Sequence, residues 1–301
     1  MELRQLKYFA TLAETLNFSR AADKLFITQG TLSQQIRQLE DEVGSQLLER
    51  SSHHVTLTEA GEELLPLALS TLEASNLCMN RMRDLRGALT GTLNLGTTHS
   101  FTGLMADTVK AFLKQNPGVK LNIYYKPAAE LLEMLRLKEL DLALAFKPVM
   151  AYDDIESEVL FKTHLCAVMR KDHPLASRES INLEELENQG IALAGGGLQA
   201  RRVFDSYVGV DTRKLNVRME VNDPNLIMDI VQGSWLVAVL SELAAYYRTN
   251  LAAVPLENGK YKMYGCVHTL KDTYRKKSAD VFLEMLRDSA QIERLCKNLE
   301  L

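Results

Sequence analysis

The sequence predicts three successive parts: an N-terminal, mostly α winged helix-turn-helix, one long linker helix, and an α/β region of two lobes. Three observations carry this prediction. Helical patterns and two short strand patterns fill residues 1–57. A helical pattern then runs without a stop signal from Thr58 to about Arg86, ahead of Gly87 and Gly91. From Gly91 onward, strand patterns alternate with helical ones. The predicted boundaries are therefore 1–57, 58–90 and 91–301. A chain of 301 residues is about twice the size of one ordinary domain, which agrees with such a division.

In the first part, Leu6, Phe9, Ala13 and Leu16 follow a helical period and give one apolar face. Ser19 is the expected N-cap of a short second helix through Ala21, Ala22 and Leu25. Thr28 is the expected cap of a third helix that runs to about Val43, where Gly44 stops it. Within the third helix Leu32, Ile36 and Leu39 share one face, and Gln29, Ser33 and Arg37 share another. Leu48–Arg50 and Val55–Leu57 read as two short strands around a Ser-Ser-His-His tip. Thr58 then caps the long helix, with Glu59 and Glu62 placed to favour its positive end. Leu65, Ala68, Leu72, Ser75, Met79 and Met82 repeat at spacings of three and four. That stripe fits the seam of a two-helix coil or packing on the chain's own body. A helix this long favours a homodimer.

In the third part "TLNLG", "VKLNIYY" and "DLALAF" read as strands, separated by the helical stretches "FTGLMADTVKAFLKQ" and "AAELLEMLRLKE". The pattern restarts with "IALA", a helix from about Leu198, "LNVRMEV", the helix "PNLIMDIVQG", and "LVAVL". Two βαβ sets on parallel sheets follow from this alternation.

The third helix poses the functional question. A tight pair of helices followed by a hairpin is the arrangement that sets its second helix in the DNA major groove. Gln can pair with adenine, Arg with guanine, and Ser or Thr with base or phosphate. Thr28, Gln29, Thr31, Ser33, Gln34 and Arg37 supply those groups. Arg20, Arg50 and the His53–His54 tip are candidates for phosphate. Against this, residues 1–57 hold six Lys or Arg and seven Asp or Glu, so the region lacks a basic signature. The acids cluster at Glu40–Glu42, and the first half of the third helix has none. On pattern alone, a DNA interface and a solvated helix both stand.

Other classes have less support. No HExxH, GxSxG, GxGxxG or CxxC pattern occurs, so nothing points to an enzyme, a metal site or a cofactor. The N-terminus continues as amphipathic helix instead of a leader peptide, and no run of about 18 apolar residues could span a membrane. Four scattered cysteines, Cys78, Cys166, Cys266 and Cys296, fit a reducing cytoplasm.

The stretches "FSRAADKL", "TQGTLSQQIRQLE", "VGSQLLER" and "LTEAG" occur in order and with the right gaps. Together they resemble the DNA-binding region of LysR-type transcriptional regulators. "DLALAF", "DHPLA" and the long helix extend the resemblance loosely over the chain. Two departures are visible: Gly30 stands where the family has proline, and "GSWLVAVLS" replaces the family's "GLGIALLP". The resemblance implies an α/β effector domain like a type 2 periplasmic binding protein, with two lobes and two crossover strands. The first lobe would hold about 91–163 and 268–301, the second about 164–267. It also implies an effector-controlled regulator of double-stranded DNA that reads an interrupted palindrome as a homodimer or homotetramer. Ligands of open α/β sheets sit beyond the C-terminal ends of the strands. Thr98, His99 and Ser100, Lys147, Gly196 and Gly197, and Asn222 occupy such places, and a small anionic effector is expected there. Cys166 and Cys266 lie near the implied crossovers. They are either small buried strand residues or thiols close enough to sense oxidant.

Overall fold

The computed structural model describes residues 1–50, 55–85, 89–148, 150, 152–208, 214–246, 248–290 and 292–293. The chain forms two units, Met1–Gly87 and Ala88–Leu301. Each has its own core.

The first unit contains α1 (Leu3–Thr15), α2 (Phe18–Leu25), α3 (Gln29–Val43), the hairpin β1 (Leu48–Arg50) and β2 (Val55–Leu57), and α4 (Glu59–Leu85). Leu6, Phe9 and Leu12 of α1 pack with Ala21, Ala22, Leu32, Ile36 and Leu39, all buried. Asn17, not Ser19, caps α2: its side chain accepts a hydrogen bond from the backbone N–H of Arg20 at 3.0 Å. The helix starts one residue before the expected cap, at Phe18, whose ring is half-buried against this core. Thr28 caps α3 and Gly44 ends it at φ 76°, as the spacing predicts. Thr58 both donates to the carbonyl of Gln46 and accepts from Gly61 N–H, tying the start of α4 to the hairpin.

The apolar stripe of α4 divides. Ala68 is buried, and Leu65 and Leu72 pack against the unit's own core. Met79 and Met82, about two and three turns beyond Leu72, are 54% and 53% exposed. Packing on the chain's own body thus explains the first half of the stripe and not the second.

The second unit is built on β3 (Gly91–Thr97), α5 (Thr102–Gln115), β4 (Val119–Tyr125), α6 (Ala128–Arg136), β5 (Leu142–Phe146) and β6 (Ile155–Arg170). There follow α7 (Leu183–Glu187), β7 (Gly190–Ala194), α8 (Gln199–Val208), β8 (Asn216–Val221) and α9 (Pro224–Gln232). The last elements are β9 (Val237–Ser241), α10 (Glu242–Ala245), β10 (Leu251–Pro255), β11 (Lys262–Leu270) and α11 (Lys277–Arg287). Their strands join in one sheet of nine among the described residues, in the order β4-β3-β5-β11-β6-β9-β7-β8, with β10 also on β6. β3, β4 and β5 run parallel in the first lobe, and β7, β8 and β9 in the second. β5 and β9 are buried at every residue, as parallel strands covered on both faces must be.

β6 is the crossover. Its first part pairs antiparallel with β11 up to His164, and its second part pairs with β9 and β10 from Leu165 onward. β11 pairs along its length with first-lobe partners, starting at Lys262. The return to the first lobe therefore falls before Lys262, earlier than the expected 267. The register also separates the two cysteines. Cys266 faces Val159 on β6, and Cys166 lies seven positions further along that strand. At about 3.3 Å per residue the two are roughly 20 Å apart, far beyond disulfide reach. Burial raises both thiols, Cys166 well above its ordinary range and Cys266 to about 11, which disfavours the reactive thiolate. The two thiols are not placed to form a disulfide with each other.

Candidate DNA-reading helix and interlobe cleft

α3 is held by one face and open on the other. Leu32, Ile36 and Leu39 are fully buried, while Gln29, Thr31, Gln34 and Arg37 are exposed and Ser33 is half-buried. The hydroxyls of Thr28 and Thr31 share a hydrogen bond of 2.8 Å at the helix start. Ser19, in the first turn of α2, donates to Gln29 Oε1 at 3.3 Å, which brings the starts of α2 and α3 together. Arg20 lies beside that junction and is exposed. The side chains of Arg20 and Arg37 make no hydrogen bond or ion pair among the described residues, so both cations remain available.

Arg50 does not. Its guanidinium donates to Glu40 and lies over the Phe18 ring, 5.2 Å from the centroid. Glu40 also accepts from the backbone N–H groups of Leu47 and Leu48 at 3.0 and 3.3 Å. Arg50 is therefore a tether between hairpin and α3, not a free phosphate ligand, and Glu40 is the residue that sequence reasoning missed. No local spacing signals the pair, because it joins α3 to the hairpin across the fold. His53 and His54 lie outside the described residues.

In the second unit, a cavity of about 310 Å³ opens between the lobes, beyond the C-terminal ends of their parallel strands. Thr98, His99 and Ser100 line it after β3, Gly197 after β7, and Asn222 after β8. The His99 ring stacks on Tyr125 at 5.3 Å. Thr98 Oγ1 is buried and has no hydrogen-bond partner. Helix starts converge on the space: the 3-10 turn His99–Phe101, then α6, α8, α9 and α10. Such starts present unpaired N–H groups and a positive dipole end.

Lys147 and Gly196 do not line the cavity. The carbonyl oxygen of Lys147 instead accepts a 3.1 Å bond from Gln199 Nε2, a direct link from the second lobe to the first. Gln199 and Asp223, in the stretches after β7 and β8, also line the cavity, and Tyr125, Lys126, Phe146 and Ser241 line it unforeseen as ligand contacts. The same strand-end rule, applied after "VKLNIYY" and "LVAVL", would have found Tyr125, Lys126 and Ser241.

Among the described residues no helix is long and apolar enough to cross a membrane, and no group of His, Cys, Asp or Glu is placed to hold a metal.

Residues 3–62 match the family described as "Bacterial regulatory helix-turn-helix protein, lysR family", and residues 86–291 match "LysR substrate binding domain". The HTH-type transcriptional regulator YnfL of Escherichia coli, described as uncharacterized, is 31% identical over 83% of this chain and 85% of its own length. The HTH-type transcriptional activator CmpR of Synechocystis is 29% identical over 79% of this chain and 78% of its own. Among solved structures, a full-length OxyR variant from Pseudomonas aeruginosa superposes with a TM-score of 0.70 at 24% identity, covering 96% of this chain and 99% of that one. Full-length CbnR in complex with its target DNA gives 0.63 at 22% identity, covering 96% and 100%. The chain belongs to the LysR family: it is a transcriptional regulator with an effector-binding domain, not an enzyme.

Proposed function

We propose that the regulator works in the cytoplasm, reads an interrupted palindrome in double-stranded DNA through α3, and answers to a small anionic metabolite held between its lobes. The open polar face at the N-terminal half of α3, seated by a fully buried apolar face, carries the DNA reading. Gln29, Thr31, Ser33 and Gln34 address base edges, with Arg37 one turn on. Arg20 and the N-terminus of α2 address phosphate. Residues 1–57 serve as the DNA-binding domain, 58–90 as the dimerisation helix and 91–301 as the effector domain. The exposed Met79 and Met82 give the homodimer its seam. Two such dimers form the tetramer common in the family. Effector binding changes DNA affinity only through a difference in affinity for two states of the assembly.

Helix starts converging on a cavity support the anion. Electrophoretic shift assays on the upstream DNA test the reading role. Gln29→Ala should lose about 1–3 kcal/mol at one base pair and alter sequence preference there. Arg20→Ala should weaken all sequences alike and reduce the salt slope by about one. Equal losses on cognate and random DNA for Gln29→Ala would refute base reading by that residue.

A further inference from the structure

Lys147 stands off the cleft cavity and joins a group of cations on the crossover strands. The end of β5, then β11, then β6 lie side by side there. The antiparallel register sets Lys262 opposite His164 and Tyr264 opposite Lys162. Lys147 follows Phe146, the partner of Gly265, and its backbone N–H donates to the Tyr264 carbonyl at 2.8 Å. Paired residues, and residues two apart on one strand, share a face of a sheet. Lys162, His164, Lys262 and Tyr264 therefore form one patch, with Lys147 at its border.

Nothing in the chain neutralises this patch. The side chains of Lys147, Lys162, His164 and Lys262 make no hydrogen bond or ion pair among the described residues. The acids nearest in sequence to the strand positions are engaged elsewhere. Glu158 accepts two bonds from Arg287, at 2.7 and 2.6 Å, and Glu257 accepts from Leu183 N–H at 2.9 Å. Burial, and then the charges of Lys162 and Lys262, hold the His164 imidazole below its ordinary range, so all three lie within electrostatic reach. Gly259, at φ 72°, admits that ring, since a Cβ there would lie 3.1 Å from it. Lys162 and Lys262 are diagonal neighbours, roughly 7–8 Å apart. Like charges at that distance repel and weaken the sheet unless an anion lies between them.

The patch is three strands wide and two residues long, roughly 10 Å by 7 Å, the footprint of a compact anion. Lysine binds phosphate as a point charge, whereas a carboxylate is best met by the planar fork of arginine, and the patch holds no arginine. The Tyr264 hydroxyl and a His164 ring N–H add neutral donors.

We infer that the crossover carries an anion site of its own, which takes a small phosphate compound with two or more negative charges between Lys147, Lys162 and Lys262. None of its residues lines the cleft cavity, so the site stands whether or not the cleft takes an anion. β6 changes partners at Leu165, the residue after His164, so the ligand sits against the hinge itself.

Isothermal titration of the full-length protein with inorganic diphosphate, and with acetate at equal ionic strength, tests it. Diphosphate should bind at least about tenfold more tightly than acetate. Lys162→Gln with Lys262→Gln should weaken diphosphate by at least about tenfold. Lys114→Gln with Lys120→Gln removes the same charge from exposed positions elsewhere and should change binding by less than about twofold. Proton spectra of the histidine rings locate the ion: diphosphate should shift a signal that is absent in His164→Gln and kept in His99→Gln. A shifted signal that belongs to His99 puts the ion in the cleft and overturns the inference. Equal losses in the two double variants reduce the binding to net charge and overturn it too. So does the absence of diphosphate binding. A loss of affinity for random DNA in Lys162→Gln with Lys262→Gln, as large as the loss for diphosphate, makes the patch a DNA contact instead.

Discussion

A Cβ added at Gly61 would lie 2.1 Å from the carbonyl oxygen of Leu47, a backbone atom that cannot swing away. At Gly30, the second residue of α3, the nearest atom is Thr28 Oγ1 at 4.0 Å. The same substitution should therefore act with opposite sign at the two sites. Gly61→Ala is expected to destabilise by about 1–3 kcal/mol through overpacking where α4 meets the hairpin. Gly30→Ala should stabilise by about 0.5–1 kcal/mol, since alanine lowers the entropy lost in a helix. Urea denaturation followed by circular dichroism measures both, and a shared sign would contradict this account of the glycines. At this scale the sequence is legible where an effect is local. Thr28, Gly44 and Thr58 were found as caps because a cap is set by residues three or four apart. The Glu40–Arg50 tether and the Gln199–Lys147 link were not, because they join elements that only the fold brings together. Strand ends could be counted, so Thr98, His99, Ser100 and Asn222 were placed at the cavity wall by sequence alone.

Helices and strands with a strong period were also legible. β1, β2 and β4 begin and end where the alternation predicts. β10 and the short helices α7 and α10 escaped, each only four or five residues long and without a period to read. β6 escaped for a different reason: its 16 residues serve two sets of partners, and its exposed Glu156 and Val159 break the pattern of a buried strand. In α4 the periodic stripe is visible, but its division between core and surface is not, because that depends on how far the first unit's own core extends along the helix. The division yields a prediction. Met79→Glu with Met82→Glu should lower the dimer association constant by at least about tenfold, read by sedimentation equilibrium. Leu67→Glu is the control, 63% exposed and off the stripe, and should leave it unchanged. Equal effects would move the seam elsewhere.

Over the whole molecule, the two-lobe architecture followed from alternation of strand and helix, while the join between lobes required the register of β6. One buried group links that join to global stability. His268 of β11 is fully buried between Ser157 Oγ, 2.8 Å from Nδ1, and the Ala145 carbonyl, 3.3 Å from Nε2. Burial lowers its pKa to about 4. In the unfolded chain the imidazole takes its proton near 6.5, so the unfolded state binds more protons between those values. Stability is thus fully present above about pH 6.5 and lost as pH falls toward 4, by about 3 kcal/mol from this residue. His268→Gln should show a flatter stability profile across that window in urea titrations at a series of pH values. An unchanged slope would remove His268 as the cause.

The order of strands in the sheet also governs how the protein is made. β5 is complete at Phe146, yet its neighbour on one side, β11, begins at Lys262. At translation rates of about 5–20 residues per second, that edge waits roughly ten seconds for its partner. Throughout the wait, an apolar strand fully buried in the finished protein lies open along one side. A nascent chain of this topology makes a demand on chaperones that its small, early-finished N-terminal unit does not.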